Sequence, residues 1–447
     1  NHHIINKFSR IVKRTPISLI LLAAAANFMV AQTTFEEVTS NLDKSGGVYF
    51  AYPVKEAANT PVPKGYEPFY ISHFSRHGSR YLISDEDLDR VVDVFAKAHD
   101  AGALSPLGED VRGKLLSFQT EMSGRGGELT PLGERQHRAI AGRMYEANPG
   151  VFVDDAVITA VSTPVMRCAY SMMAFTEALK ERNPRLTIPR ESSNRHLAYL
   201  NYHSPESNEF NSPSNTALKQ PLNDFKANMT KPDRIMDTLF SDKEYLKKNI
   251  DASELMWGLY WVPSDLQNTE QGTSLYDIFT PQELFDLWQV PNYDFYIHNT
   301  SYPKSRGLHV DNANRLLTNI IETAQDYVAN NRKGATLRFA HDGNLIPLAA
   351  RMMIEDTYGM ENRPDSLYKS WANFKVSPMA GNIQIILYRN PSDAKAPVIA
   401  KVMLNEREVR VPVATDMFPF YRWDDLKAHL VKMTNTPFDT LVPDHLK

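Results

Sequence analysis

The sequence predicts an α/β fold in which a layered α/β/α sheet domain carries an inserted, mainly helical cap domain. Short apolar segments alternate with longer segments of helical periodicity along most of the chain, which is typical of a sheet covered by helices. Between about Arg195 and Gly307 the alternation stops, and a segment rich in Asn, Ser, Pro, Tyr and Trp shows helical spacing only. Because strands and helices alternate again after Gly307, we expect this helical segment to be an insertion.

The part of the chain before the insertion predicts three strands and two helices. Thr130 is a favourable N-cap, and Pro131 and Glu134 suit the first turn, so a helix is predicted from Thr130 to about Ala147. A second helix is predicted at about Val165–Glu181. Short apolar runs that end in polar residues predict buried strands at Phe69–Phe74, Ala156–Val161 and Leu186–Pro189.

The insertion and the part after it predict further helices and strands. Helical segments in the insertion lie around Leu222–Phe240, Lys243–Leu259 and Pro281–Trp288. After the insertion we expect a long helix at Asp311–Ala329, a strand at Ala335–Ala340, and a helix with Leu345, Leu348, Met352 and Met353 on one face. Two last strands, Asn382–Tyr388 and Val398–Leu404, are predicted to pair in antiparallel fashion through the turn at Asn390-Pro391.

The first residues have the pattern of an export signal. Positive charges at Lys7, Arg10, Lys13 and Arg14 precede the apolar run Ile17–Ala26, and small residues continue to Ala31, so that Gln32 is the expected first mature residue. A membrane anchor is the alternative, but the apolar run is shorter than the ~20 residues that cross a bilayer. We therefore expect an exported protein without a stable membrane span after the signal is removed.

Composition sets the remaining limits on the chain. Of 447 residues, 42% are hydrophobic and 23% are charged, which is typical of globular domains. The expected organisation is a signal peptide at 1–31, the α/β domain at 32–194 and 308–447, and the cap at 195–307. The single cysteine, Cys168, excludes a disulfide within the chain, and its neighbours indicate a buried helix face. An exported protein without disulfides is expected in a bacterial periplasm or at a bacterial cell surface. The net charge of −4 argues against nucleic acid as a partner, so an anionic ligand would need a local cluster of positive charge.

Polar side chains follow three of the predicted strands. The run Arg76-His77-Gly78-Ser79-Arg80 comes directly after the first strand, Ser162–Arg167 follows the second, and His341-Asp342 follows the strand that ends at Ala340. Since ligands bind at the carboxyl ends of strands in open α/β sheets, we expect these side chains to form one site.

This set of residue types suits phosphoryl transfer. Guanidinium groups such as those of Arg76 and Arg80 hold phosphate oxygens with paired hydrogen bonds, and an imidazole such as that of His77 can accept the phosphoryl group. The flanking arginines are expected to lower the pKa of His77, and Gly78 to let backbone amides approach an oxyanion. Asp342 would protonate the leaving oxygen, or would only cap the following helix; His341 would donate to phosphate or order the loop.

The sequence resembles the histidine phosphatase superfamily, acid phosphatase branch. Arg76-His77-Gly78-Ser79-Arg80 is similar to the RHGxR signature, His341-Asp342 to the second signature, and Ser162–Arg167 to the segment with a third phosphate-binding arginine. The run Leu129–Gly133 with Gln136 also resembles a helix start of this branch, and the matches extend from about 65 to 405. The resemblance implies His77 as nucleophile, Asp342 as proton donor, and phosphate binding by Arg76, Arg80, Arg167 and His341.

Within the branch the chain is most similar to the multiple inositol polyphosphate phosphatase group. The similarity rests on Thr163–Cys168, the aromatic segment Leu275–Thr280 and the late segment Leu404–Glu406. It implies phytate, other inositol polyphosphates or a bisphosphoglycerate as substrate, with no metal and no other cofactor. In two places the chain departs from the pattern: Leu82 stands where the family motif usually has Pro, and His341-Asp342-Gly343 stands where the group commonly has His-Ala-Glu.

Four hypotheses follow for function. The leading one is a metal-independent phosphomonoester hydrolase that acts on inositol polyphosphates such as phytate through a phosphohistidine, with an acid to mildly acid optimum. The alternatives are an acid phosphatase of broad specificity on small esters and, from another class, a non-catalytic phosphate-ester-binding protein. A metal-dependent phosphoesterase is a further reading of the histidines and aspartates, and the arginine-rich turn argues against it.

Overall fold

An eight-stranded mixed sheet forms the centre of the molecule in a computed structural model, which describes residues 34–55 and 57–447. The predicted signal peptide lies outside these described residues. The strands are β1 (Glu67–Arg76), β2 (Val157–Ser162), β3 (Arg190–Ser192), β4 (Gly334–Ala340), β5 (Asn382–Arg389), β6 (Ile399–Leu404), β7 (Arg407–Glu408) and β8 (Phe420–Arg422).

The order of the strands is β3-β2-β4-β1-β5-β6-β7, and β8 pairs with β6. The four strands from β3 to β1 are parallel, whereas β5 is antiparallel to both β1 and β6. In register, Arg76 of β1 lies opposite Ala340 of β4, and Ser162 of β2 lies opposite Phe339. The ends of β1, β2 and β4 therefore meet at one edge, as the sequence predicts, and the antiparallel pairing of the two late strands is confirmed.

The predicted third strand at Leu186–Pro189 is wrong by a few residues, because the strand is Arg190–Ser192. Leu186 and Ile188 are buried in the hydrophobic core and give the segment its apolar pattern. The Leu186 amide, however, bonds to the Asn183 carbonyl in a turn, and contact with the sheet begins at the Pro189 carbonyl. Burial against a core, rather than pairing in the sheet, produced the pattern.

Helices cover both faces of the sheet and form most of the part between β3 and β4. They are α1 (34–40), α2 (Asp85–Asp100), α3 (Pro106–Met122), α4 (Pro131–Ala147), α5 (Met166–Arg182), α6 (Leu197–Leu200), α7 (Pro205–Phe210), α8 (Thr216–Met229), α9 (Asp233–Leu239), α10 (Lys243–Asn249), α11 (Ala252–Leu266), α12 (Pro281–Asn299), α13 (Leu308–Asp311), α14 (Asn314–Ala329), α15 (Asp342–Arg351), α16 (Asn373–Val376) and α17 (Trp423–Thr434). A 3-10 helix at Leu42–Tyr49 precedes β1.

The layered α/β/α arrangement is confirmed by the packing on the two faces of the sheet. On one face, Phe175 of α5 packs against Phe339 of β4, with ring centroids 5.5 Å apart. On the other, Tyr327 of α14 packs against Tyr70 of β1 at 4.1 Å. Because both faces are covered, the central strands are largely buried, and β4 is buried along its whole length although it contains Thr336 and Arg338.

The inserted segment is helical as predicted, but two of its predicted helices are each broken. Pro232 separates α8 from α9 within Leu222–Phe240, and Asp251, the cap of α11, separates α10 from α11 within Lys243–Leu259. The helix predicted at Asp311–Ala329 is α14, which begins at Asn314 and ends at Ala329. Because helical periodicity is strong on both sides of each short break, the sequence predicted one helix where the structure has two.

The helices α2 and α3 have no counterpart in the sequence prediction. Their starts carry signals that could have revealed them, since Ser84 and Ser105 cap the two helices and Pro106 begins the second. They pack against α9 and α11 of the inserted segment, so the helical part of the molecule includes residues from before β2. The division into an α/β domain and a cap at 195–307 stays a prediction. Among the described residues, no helix is both long and apolar enough to cross a membrane.

Candidate active site

Arg76, the last residue of β1, is fully buried and lies at the centre of the predicted site. Its Nη1 donates to the Val48 carbonyl at 2.5 Å and to the Ser377 carbonyl at 2.9 Å, while Nη2 lies 3.4 Å from Oδ2 of Asp342. Neither Nε nor Nη2 makes a hydrogen bond to a residue that the structure describes. Burial lowers the pKa of Arg76 to about 10, so the group is still charged at neutral pH. The backbone carbonyls fix the guanidinium group and leave donors for an anion.

Arg80 and Arg167 bring two more guanidinium groups to the same region. Arg80 is nearly buried, packs its guanidinium group 4.9 Å from the ring centre of Tyr49, and donates to the Tyr81 carbonyl at 2.8 Å. Arg167, half-buried at the start of α5, donates from Nη1 to the Gly127 carbonyl at 3.2 Å. The Nε atoms of both arginines have no hydrogen-bond partner. All three predicted phosphate-binding arginines therefore have free donor capacity.

His77 is almost completely buried, and its ring has a defined orientation. Nδ1 lies 2.8 Å from the Gly78 carbonyl oxygen. Because a carbonyl only accepts hydrogen bonds, Nδ1 carries the proton and Nε2 carries the lone pair. Burial, followed by the charges of Arg76, Arg80 and Arg167, holds the pKa of His77 well below its usual value. The ring is therefore neutral in mild acid; the arginine effect was expected from sequence, whereas the larger effect of burial was not.

His341 and Asp342 lie at the end of β4, where α15 begins. Nε2 of His341 is 3.1 Å from the Thr163 hydroxyl, and its ring centre is 6.1 Å from that of His77. Burial lowers the pKa of His341 to about 4. His341 thus lies between the ends of β2 and β4, close to the His77 ring.

Asp342 is held at the first position of α15 rather than at its cap, which is His341. Its Oδ1 accepts from the Gly343 amide at 2.8 Å. Burial opposes ionisation of Asp342, but the charges of Arg76, Arg80 and His341 outweigh it, so the pKa of Asp342 is lower than usual. In the resting site this carboxyl group is therefore ionised, and the negative charge of a bound phosphate would raise its pKa again.

Cys168 and His73 lie close to the site and serve as core residues, as the sequence indicates. Cys168 is fully buried in α5, where its thiol contacts the Ala340 carbonyl and burial raises its pKa to about 11. The ring of His73 stacks on Phe175 with centroids 4.8 Å apart, and burial lowers its pKa to about 3.

A buried polar network that the sequence did not reveal holds the loop after β1. The Ser79 amide donates to Gln136 of α4, whose side-chain amide donates back to the Ser79 hydroxyl. That hydroxyl donates to Oδ1 of Asn268 at 2.6 Å. Asp265 of α11 accepts from the Leu82 amide at 2.8 Å, and burial raises the pKa of Asp265 to about 7. The family-like Gln136 was the only sequence signal of this network.

Gly78 has a different role from the one expected. Its amide donates to the Ser171 hydroxyl at 3.0 Å and is therefore already used. A Cβ atom at Gly78 would lie 2.5 Å from the Gly133 carbonyl oxygen, and one at Gly133 would overlap the Ser79 carbonyl. The two glycines let the start of α4 pack directly on the loop that carries His77.

A cleft beside Arg80, which we call the acidic cleft, lies next to these side chains. It has a volume of about 730 Å³ and lies between the 3-10 helix before β1 and the helices α2, α11 and α12. Its lining includes the carboxylates of Asp87, Asp93, Asp251, Glu254 and Asp294. The cap lysines Lys231, Lys243, Lys247 and Lys248 are not among its lining residues.

The family of the chain follows from a comparison with family models. The model of the histidine phosphatase superfamily (branch 2) matches residues 73–405, which include all six predicted site residues. The chain belongs to this family. The family predicted from the sequence is thereby confirmed, and membership supports a phosphatase as the class of hydrolase.

Solved structures of histidine phosphatases share this fold. The multiple inositol polyphosphate phosphatase of Bifidobacterium longum in complex with inositol hexasulfate is 18% identical, covers 87% of this chain and 97% of its own, and has a TM-score of 0.69. A phytase from D. castellii is 13% identical, covers 88% of this chain and 85% of its own, and has a TM-score of 0.64. None of the curated proteins matches the chain.

Proposed function

We propose that this histidine phosphatase hydrolyses phosphate monoesters through a covalent phosphohistidine at His77. The observation that carries the proposal is a neutral imidazole with its Nε2 lone pair free, surrounded by three guanidinium groups that have unused donors. Arg76, Arg80, Arg167 and His341 would hold the phosphoryl oxygens, and Asp342 lies 3.4 Å from Arg76, within reach of the same anion.

The reaction proceeds in two steps. In the first, Nε2 of His77 attacks phosphorus, the bond from phosphorus to the ester oxygen breaks, and Asp342 gives its proton to that oxygen. In the second, the Asp342 carboxylate takes a proton from water, the water oxygen attacks phosphorus, and the phosphorus–nitrogen bond breaks. Phosphate leaves, and both His77 and Asp342 return to their starting forms.

Protonation of Asp342 sets the pH dependence. The resting carboxyl group is ionised because of the arginines, so the first step depends on the bound phosphate raising its pKa. The pKa of His77 lies well below its usual value, so that acid does not inactivate the nucleophile. We therefore expect an acid to mildly acid optimum for kcat.

Two substrate classes are proposed. Inositol polyphosphates such as phytate are supported by the sequence resemblance and by the structural neighbours, which are a multiple inositol polyphosphate phosphatase and a phytase. Small phosphate esters, including a bisphosphoglycerate, are the alternative, supported by the acidic cleft, which is unfavourable for a ligand with many phosphates. No metal is required, because the arginines and His341 supply the positive charge and the donors.

Hydrolysis without metal tests the proposal. The protein from Gln32 onward is incubated with phytate and with simple monoesters in the presence of a chelator, and the products are separated by chromatography. We expect release of inorganic phosphate, and none above background from His77→Ala. Loss of activity with the chelator would favour a metal-dependent phosphoesterase, and binding of esters without release of phosphate would favour a non-catalytic protein.

Export is proposed on the sequence pattern of residues 1–31. The full chain, expressed in a bacterial host, should reach the periplasm or the medium and begin at Gln32, as measured by mass spectrometry of its N-terminal peptide. An uncleaved chain in the membrane fraction would contradict this part of the proposal.

A further inference from the structure

The acidic cleft borders the predicted phosphate site at Arg80, the one predicted site residue in its lining. Arg80 lines the cleft, is about nine-tenths buried, and has no hydrogen-bond partner at Nε. The phosphate of a monoester held by Arg80 would therefore place its alcohol portion at the entrance of the cleft. The side chains of the cleft then determine which alcohol fits.

The walls of the cleft are aromatic. Tyr49 and Trp261 lie 5.7 Å apart between ring centres, Trp257 lies 6.4 Å from Trp261, and Phe295 of α12 lines the cleft as well. Aromatic faces carry partial negative charge and pack favourably against the C–H groups of a ring. A flat or ring-shaped alcohol gains more contact here than a short alkyl chain.

The charge of the lining is negative. Five carboxylates face two guanidinium groups, those of Arg80 and Arg90, and no lysine lines the cleft. Two of the carboxylates are neutralised by neighbours, since Asp87 pairs with Arg90 and Asp93 with Lys97. Lys226 lies over the ring of Trp257 at 4.9 Å but is not a lining residue.

The other three carboxylates have acceptor capacity left. Glu254 makes no ion pair or hydrogen bond through its carboxylate to any described residue. Asp251 accepts only from the Glu254 amide, at the start of its own helix, and Asp294 contacts His298 at 2.9 Å. Carboxylates accept hydrogen bonds from hydroxyl groups and repel further phosphates, so the lining suits a ligand with many hydroxyls and few phosphates.

We propose that the acidic cleft binds the hydroxyl-rich ring of a sugar or cyclitol monophosphate while its phosphate lies at His77. The proposal rests on the proposed function, because it concerns the alcohol portion of the same substrate. It implies that a ring with one phosphate is hydrolysed more efficiently than the same ring with six. Repulsion by the cleft would act in the transition state as well as on binding, so the difference is expected in kcat/KM.

The test compares kcat/KM for inositol monophosphate, glucose 6-phosphate, phytate and a simple alkyl phosphate at constant ionic strength. We expect the two ring monophosphates to exceed phytate by about tenfold or more. Two variants are compared with the parent protein: Glu254→Gln and, separately, Asp251→Asn, which keeps a capping side chain. In each, kcat/KM for phytate should rise, and the ratio of kcat/KM for the ring monophosphates to kcat/KM for phytate should fall. Glu322→Gln on α14, an exposed carboxylate away from the cleft, is the control and should leave the ratio unchanged.

Trp261→Leu provides a second measurement. It should raise KM for the ring monophosphates and leave KM for the alkyl phosphate nearly unchanged. Preference for phytate in the parent protein, or equal ratios in the cleft variants and in Glu322→Gln, would overturn the proposal. If no ester at all releases phosphate, the proposed function fails instead, and the two failures are therefore distinguishable.

Discussion

At the scale of single residues, the proposed mechanism depends on the protonation states of His77 and Asp342. His77 keeps a lone pair on Nε2 because its Nδ1 donates to the Gly78 carbonyl and because burial among arginines prevents protonation. The same arginines hold Asp342 in its ionised form. In the proposed mechanism, one cluster of positive charge thus favours the nucleophile at rest, and an incoming phosphate would partly cancel that charge and make the acid available.

Replacing Asp342 should have an effect that depends on the leaving group. In Asp342→Asn no proton is delivered, so hydrolysis of an alkyl phosphate should fall by about 10²–10⁴-fold. An aryl phosphate such as p-nitrophenyl phosphate has a leaving group that departs without a proton, so its first step should be much less affected. Rapid mixing should still show a burst of p-nitrophenol in the variant, and equal losses for both esters would contradict the role of Asp342 as acid.

The six proposed site residues were named from the sequence and lie together in the structure, but the contacts that support them could not be predicted. Arg76, His77 and Arg80 stand next to each other in the chain, and Arg167, His341 and Asp342 follow strand ends. Asp265 and Asn268, in contrast, lie at the end of the distant helix α11 and in the turn after it, and nothing in their local sequence indicates contact with the His77 loop. Partners of this kind depend on packing between helices, which local patterns do not encode.

At the scale of elements, three parallel strands bring the site together and α4 holds it. The ends of β1, β2 and β4 are adjacent because these strands are neighbours in register. The start of α4 reaches the loop after β1 through the Gly78–Gly133 contact and the bonds between Ser79 and Gln136. The loop is therefore fixed from outside the sheet as well as by β1.

Gly78→Ala tests this contact. The new Cβ would lie 2.5 Å from the Gly133 carbonyl oxygen, so either α4 or the loop must shift. We expect a loss of about 1–3 kcal/mol in the free energy of unfolding, together with a lower kcat/KM. Gly113→Ala in α3, where a Cβ has no neighbour within 4 Å, is the matched control and should stabilise by about 0.4–1 kcal/mol. If Gly78→Ala and the parent protein have the same free energy of unfolding in urea, the contact is unimportant for stability.

Element prediction succeeded where burial and capping were both strong. The strands β1, β2, β4, β5 and β6 and the helices α4 and α5 were predicted within a few residues. Pro232 and Asp251 broke predicted helices because a single capping or breaking residue outweighs periodicity on both sides. The apolar run before β3 was misassigned because a core contact and a sheet contact give the same local pattern.

At the scale of the whole molecule, several buried histidines couple stability to pH. Burial lowers the pKa of His73, His137 and His309 to about 3 in each case. Below the ordinary histidine pKa the unfolded chain binds protons that the folded protein does not, so the free energy of unfolding falls as pH falls. Asp265, with its pKa raised to about 7, acts in the opposite direction but is a single group.

We therefore expect stability to decrease between about pH 6.5 and pH 4, by on the order of 1–3 kcal/mol per pH unit. The midpoint of urea unfolding, measured by circular dichroism across this range, checks the expectation. His73→Gln, which removes one buried titrating group, should reduce the slope even if it lowers stability overall. A urea midpoint of the parent protein that stays constant or rises as pH falls would contradict the expected loss of stability in acid.

The overall architecture was predicted more completely than its internal boundaries. Alternation of strands and helices indicated the layered sheet, and composition indicated the helical insertion. The packing of α2 and α3 against α9 and α11 was not foreseen, because it joins segments that are far apart in the chain. The packing of α2 against α11 forms part of the acidic cleft, so the feature that we connect with substrate choice could be found only in three dimensions.

The covalent intermediate at His77 is the most direct test of the proposed mechanism. The protein is mixed rapidly with an aryl phosphate, quenched in denaturant at alkaline pH, which preserves phosphohistidine, and digested for mass spectrometry. We predict one phosphoryl group on the peptide that contains His77, more of it in Asp342→Asn, whose second step lacks a base, and none in His77→Ala. Turnover of the ester without this adduct, or with the phosphoryl group on another residue, would contradict the mechanism.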